Sequence, residues 1–136
     1  MELNGLRAWK DLPLGPEGRA FSGTAVYETR FDWDGSSQPV LLDLGRVDMI
    51  ADVRVNDTEA GVLWARPYRL DISDLVRPGS NTLRIGVTGT WYNRLAYDAN
   101  LPEARRKTWT IAGPAAGSPL RESGLLGPVT VSGCQQ

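Results

Sequence analysis

The chain has no histidine, a single cysteine and no apolar run long enough to span a membrane. Each absence excludes a class of chemistry. Without histidine there is no Ser-His-Asp triad, no Cys-His pair and no imidazole general base. With Cys134 alone, near the end of the chain, neither an internal disulfide nor a thiolate zinc site forms, and the cysteine is expected to be a free thiol. A net charge of -1 is the wrong balance for a phosphate-binding surface, so no nucleic-acid partner is expected, and no membrane. The opening Met1-Glu2-Leu3-Asn4-Gly5 lacks the basic and apolar regions of a signal peptide. What survives is carboxylate chemistry, an oxygen-ligated metal, or no chemistry.

Glycine and proline are plentiful, 15 and 9 residues, and they fall between short runs of alternating character. Ala25, Tyr27, Thr29 and Phe31 share one face of a segment whose other face carries Glu28 and Arg30, which is the two-residue period of a half-buried strand. Asp34-Gly35-Ser36-Ser37 breaks it. Val40 to Leu44 reads as a strand covered on both faces or lying at the sandwich centre, and Asp52 to Trp64 as a hairpin whose turn residues are Asn56-Asp57-Thr58-Glu59. Tyr68, Leu70 and Ile72 share a face, Ser73 to Val76 suits one helical turn with Ser73 as N-cap, Pro78-Gly79 is a turn signal, and Leu83, Ile85 and Val87 alternate in a further strand. Beyond Thr90 the pattern loosens into a long loop, with a helical turn near Pro102 to Lys107 and a short strand at Trp109 to Ile111. Val129 to Val131 lies in a closing strand. No helix of ordinary length is expected. Many short strands in 136 residues indicate one all-β domain, a jelly-roll β-sandwich.

Phe21-Ser22-Gly23-Thr24 through Phe31 resembles the opening of the sugar-binding jelly-roll domain of family 2 glycoside hydrolases. The likeness is greater to the related C-terminal domain of family 106 α-L-rhamnosidases. Leu42 to Val47, the hairpin Val53-Arg54-Val55-Asn56 with Gly61-Val62-Leu63-Trp64, and Pro67 to Ser73 continue the pattern in order. Trp91 to Leu95 and Ser123 to Val129 are the pieces most specific to the rhamnosidase-type version. The resemblance covers nearly all of Phe21 to Val131 and implies a galactose-binding-like jelly roll. It also implies origin as one module of a longer, exported (periplasmic or secreted) bacterial hydrolase whose catalysis belongs to another domain. Residues 1–20 then read as a connecting segment and 21–136 as the module. Two positions depart from the family: Asp57 stands where glycine is favoured in the hairpin, and Tyr97 stands where glycine follows the Asn93-Arg94 motif.

The candidate ligand-binding residues form two groups. Trp64, Arg66 and Tyr68 lie at a strand-loop-strand junction, suited either to a sugar-facing aromatic with a guanidinium donor or to plugging the core end. Trp91, Asn93, Arg94 and Tyr97 open the long loop, where the polar side chains either meet a ligand or hold the loop's own backbone. If the strand ran on through Trp91, then Trp91 and Asn93 would face one way and Tyr92 and Arg94 the other. The expected partners are a carbohydrate, of rhamnose-containing type by the resemblance, and the catalytic domain of a parent hydrolase. The binding reading competes with that of a structural domain that only docks. Asp43, Asp71 and Asp98 sit near strand ends and qualify by position as catalytic carboxylates, but nothing around them suggests a buried acid with a raised pKa. No cofactor is expected: the oxygen-rich stretches Asp48 to Asp52 and Asn56 to Glu59 read as turns more readily than as calcium loops. Arg105-Arg106-Lys107 reads as a solvated face.

Overall fold

The computed structural model describes residues 1–36 and 38–133, so Ser37 of the first turn signal and Cys134 lie outside the described residues. Among the described residues nine strands carry the fold: β1 (Thr24–Trp33), β2 (Val40–Asp43), β3 (Arg46–Asp48), β4 (Ile50–Val55), β5 (Thr58–Leu63), β6 (Arg69–Asp71), β7 (Gly79–Thr88), β8 (Gly124–Gly127) and β9 (Thr130–Gly133). They form a four-stranded sheet in the order β1-β7-β4-β5, a three-stranded sheet β6-β2-β9 and a two-stranded ribbon β3-β8, with every strand pair antiparallel. This is an all-β sandwich.

Strict alternation builds the core. Ala51, Val53 and Val55 of β4 and Leu83, Ile85 and Val87 of β7 point inward against Val40, Leu42 and Leu44 on and just past β2. Tyr68 and Ile72 close the same core, and the Tyr68 hydroxyl donates to the Met49 carbonyl at 2.6 Å. β2 is the middle strand of its sheet, which accounts for its near-continuous apolar run.

The hairpin turn keeps its geometry despite the missing glycine. Asn56 and Asp57 both take the left-handed φ, 49° and 63°, that a tight two-residue turn demands. Asn56 also spends its side chain on the fold, donating to the Leu75 carbonyl and to Asn81 and accepting from the Thr82 amide. Asn81, fully buried, accepts from the Arg77 amide at 2.9 Å and donates to the carbonyls of Arg77 and Gly79. Asn81→Ala is expected to cost about 1–3 kcal/mol by orphaning those buried groups, read as a lower urea midpoint with an unchanged slope.

Residues 1–20 add a second layer to the core. A short 3-10 turn at Trp9–Asp11 and a one-turn helix α1 (Pro16–Arg19) precede β1. Trp9 is buried, donates from Nε1 to the Tyr27 hydroxyl at 2.7 Å, and meets the Phe21 ring edge-on with centroids 5.0 Å apart. Gly124, at φ 98°, lets the backbone of β8 pass this indole: a Cβ there would lie 2.5 Å from Trp9 Nε1.

The segment after β7 departs from the sequence expectation at two points. Trp91 does not continue the strand; Tyr92–Asp98 is a helix, α2, so the alternating-face reading of Trp91 to Arg94 does not hold. Seven residues with no side-chain N-cap are too few to be helical alone, and tertiary ties make the helix. Trp109 to Ile111 is no strand: it has no partner edge, and Trp109 and Ile111 stand 80% and 91% exposed. The expected helical turn is present as a 3-10 turn at Glu103–Arg105.

Candidate functional site

Strand register assembles the candidate residues at one end of the sandwich. Thr24, Thr88 and Ile50 are paired neighbours at that end of β1, β7 and β4, and Ala51 pairs with Leu63 at the close of β5. Trp64 follows Leu63 directly, Met49 precedes Ile50, and Trp91 comes three residues after Thr88. Trp64 is 72% exposed and Trp91 60% exposed, and Met49 and Ile50 are themselves half open to solvent. Arg66 is exposed beside them in the sequence, before Pro67. Of the first group, therefore, Trp64 and Arg66 face solvent while Tyr68 belongs to the core.

The second group divides as well. Asn93 is buried and structural: its Nδ2 donates to the Arg121 carbonyl at 2.9 Å and to Ser123 Oγ, while its Oδ1 accepts from the Arg121 amide at 2.8 Å. Arg94 is enclosed between two acids, with Nη1 2.9 Å from Glu17 and Nη2 2.9 Å from Asp98. Its guanidinium also lies 5.4 Å from the centre of the half-buried Tyr97 ring. These side chains lock the loop in place and leave Trp91 as the group's exposed member. The residues that complete the lock were not singled out for it from the sequence. Asp98 Oδ2 accepts from the amides of Lys107 and Thr108 and from Thr108 Oγ1, and the Arg121 guanidinium lies 3.7 Å from the centre of the Tyr92 ring. Their partners lie 9 to 29 residues away in the chain, beyond any local spacing signal.

The carboxylates have the wrong electrostatics for a general acid. Burial raises the Asp98 pKa, but hydrogen bonds from Thr108, Arg94 and two backbone amides outweigh it and leave the group below its ordinary value. Asp43 is lowered by the Gly45 amide and Arg69, and Asp71 by the Ser73 hydroxyl and amide. Asp48 alone is raised, by burial. A proton donor at neutral pH requires the opposite of what Asp43, Asp71 and Asp98 have.

The sequence pattern of the family described as "Glycosyl hydrolase 2 galactose-binding domain-like" matches residues 20–123. The chain belongs to this family. A solved rhamnosidase from Novosphingobium sp. PP1Y is similar to 96% of the galactose-binding-like chain at 41% identity, with a TM-score of 0.84. The chain covers 13% of that protein. A putative β-glucuronidase from Formosa agariphila is 43% identical over 86 residues, which are 60% of this chain and 7% of the relative. A β-glucuronidase from Ruminococcus gnavus shares the fold at 20% identity and a TM-score of 0.55, over 61% of this chain and 15% of its own. The galactose-binding-like chain thus spans a small fraction of each of these hydrolases. Within this family fold, the exposed tryptophans and Arg66 remain free of the core, whereas Tyr68, Asn93 and Arg94 are committed to it or to the long loop.

Proposed function

We propose that this galactose-binding-like domain is a non-catalytic module of an exported bacterial rhamnosidase-type hydrolase, equivalent to the C-terminal domain of family 106 enzymes. In this reading its tryptophan-bearing end binds or positions rhamnose-containing carbohydrate for a catalytic domain elsewhere in the parent. The observation that carries it is the exposure of Trp64 and Trp91 at one end of the sheet, with Arg66 beside them. Large aromatic faces left in water fit the C–H surfaces of sugars, and a guanidinium supplies donors to hydroxyls. The reading requires neither a cofactor nor a catalytic residue in this chain.

Calorimetric titration with rhamnose-containing oligosaccharides tests it. Trp64→Ala or Trp91→Ala is expected to weaken binding by about tenfold or more, ~1.4 kcal/mol. Both side chains are exposed, so the thermal midpoint should hold. A second reading, docking on the catalytic domain without sugar affinity, is favoured by Trp109 and Ile111, which project into solvent from a well-anchored segment. Absence of heat up to millimolar sugar would leave that reading standing alone.

A further inference from the structure

Resting on the carbohydrate reading above, we propose that the outer face of the four-stranded sheet holds a separate saccharide subsite, centred on Gly86, for a sugar residue bearing a carboxylate. Gly86 sits in the interior of β7, paired with Val26 on one side and Asp52 on the other. Its φ is not in the left-handed region, and an added Cβ would meet nothing closer than 3.9 Å. Neither backbone conformation nor packing therefore calls for glycine, which weakens a strand interior. Gly86 forms part of the floor of a depression of about 490 Å³ open to solvent.

Three rows of side chains divide that depression by chemistry. Arg84 and Arg54 lie directly opposite each other in the row at one end. Like charges so placed repel. Register places an acid outside each arginine, Glu28 across from Arg84 and Glu59 across from Arg54. Arg84 pairs with Glu28 at an exposed 3.3 Å, a contact of little worth in water, and Arg54 makes no ion pair among the described residues. A planar carboxylate lying between two guanidinium forks relieves the repulsion and accepts paired hydrogen bonds.

In the middle row Asp52 flanks the open floor. It accepts from sugar hydroxyls and repels an anion, so the ligand's carboxylate is directed to the arginine end. Val26, half exposed across the floor, offers an apolar surface to the ring. At the far row Thr24 and Thr88 share one hydrogen bond at 2.7 Å and keep further capacity for hydroxyls. The rows span four residues of strand, roughly 13 Å.

The test is a two-dimensional NMR titration of the 136-residue chain with sodium glucuronate, glucose and sodium acetate at matched ionic strength. Glucuronate and glucose differ at the carboxylate carbon, and acetate supplies the anion without the sugar. Glucuronate is expected to shift the amides of Arg54, Arg84 and Gly86 with a Kd about tenfold or more below that of glucose. Gly86→Val should abolish this preference while the thermal midpoint holds or rises. Arg54→Gln and Arg84→Gln should each bring glucuronate toward the glucose value.

Equal affinity for glucose and glucuronate, an unaffected Gly86→Val variant, or acetate binding as tightly as glucuronate would each overturn the subsite. If rhamnose oligosaccharides bind and are lost with Trp91→Ala while the Gly86 region stays silent, the subsite falls and the reading of the tryptophan end stands. If no saccharide binds anywhere, both fall.

Discussion

Trp9→Ala is expected to destabilise the domain by about 3–5 kcal/mol, the range for removing a large aromatic from a core. The indole is 2% exposed and sits between β8, Phe21 and β1. Its Nε1 donates to the Tyr27 hydroxyl, which in turn accepts from the Leu125 amide at 3.3 Å, so one side chain couples β1, β8 and the chain before β1. The Trp9 amide adds a bond to the Ser123 carbonyl at 3.0 Å. Chemical denaturation of the variant measures the loss. A change below about 1 kcal/mol would mean that residues before 20 are a dispensable lead rather than part of the core. Because the family pattern begins at residue 20, the same measurement tells whether a chain cut there would be stable.

Asp98→Ala is the other large effect, about 3–5 kcal/mol, because it removes the buried partner of an enclosed ion pair, leaves Arg94 with only the half-exposed Glu17, and orphans the amides of Lys107 and Thr108. Asp98 is 2% and Arg94 12% exposed at the side chain. Glu17, the remaining partner of Arg94, is half exposed and shared with Lys107 at 2.6 Å. The loss should appear first as faster amide exchange at Lys107 and Thr108, whose N–H groups Asp98 accepts. Asp98→Asn keeps an acceptor and should lose less.

The pH dependence follows from the direction of the shift. The folded Asp98 pKa lies below the ordinary value of 3.8, so the folded state holds its proton less tightly than the unfolded chain does. Its contribution is complete above that ordinary value and is lost as pH falls through the lower, folded one. Acid titration should therefore loosen the segment after α2 below about pH 4, and the Asp98→Asn variant should show a flatter acid limb. An unchanged limb would assign acid sensitivity to other carboxylates.

How far the chain was readable depended on the range of the signal. Alternation within β1, β4 and β7 and the turn residues Asn56 to Glu59 are local signals, so the strands and the hairpin were legible, while the two positive φ values at Asn56 and Asp57 came from the structure. The family resemblance rested on the same short pieces taken in order. Trp64 and Arg66 were legible as surface candidates because a strand end followed by a proline is also local. For Tyr68, Asn93 and Arg94 a structural role and a ligand role were both open, and apart from Asp98, four residues from Arg94, the groups that consume their polar atoms (Met49, Arg121, Ser123 and Glu17) lie in distant segments. The same blindness hid α2, a helix made by its contacts and not by its propensity.

Sequence alone determined that this is an all-β domain without imidazole or disulfide chemistry, because composition and two-residue periodicity need no partner to be read. Tertiary structure decided which aromatics are spent on the core and which are left in water. It also decided that residues before β1 supply a core tryptophan, and that an unforced glycine lies on the outer sheet face one row from two opposed arginines. Those are matters of register and of packing between distant segments, and neither leaves a trace in any window of neighbouring residues.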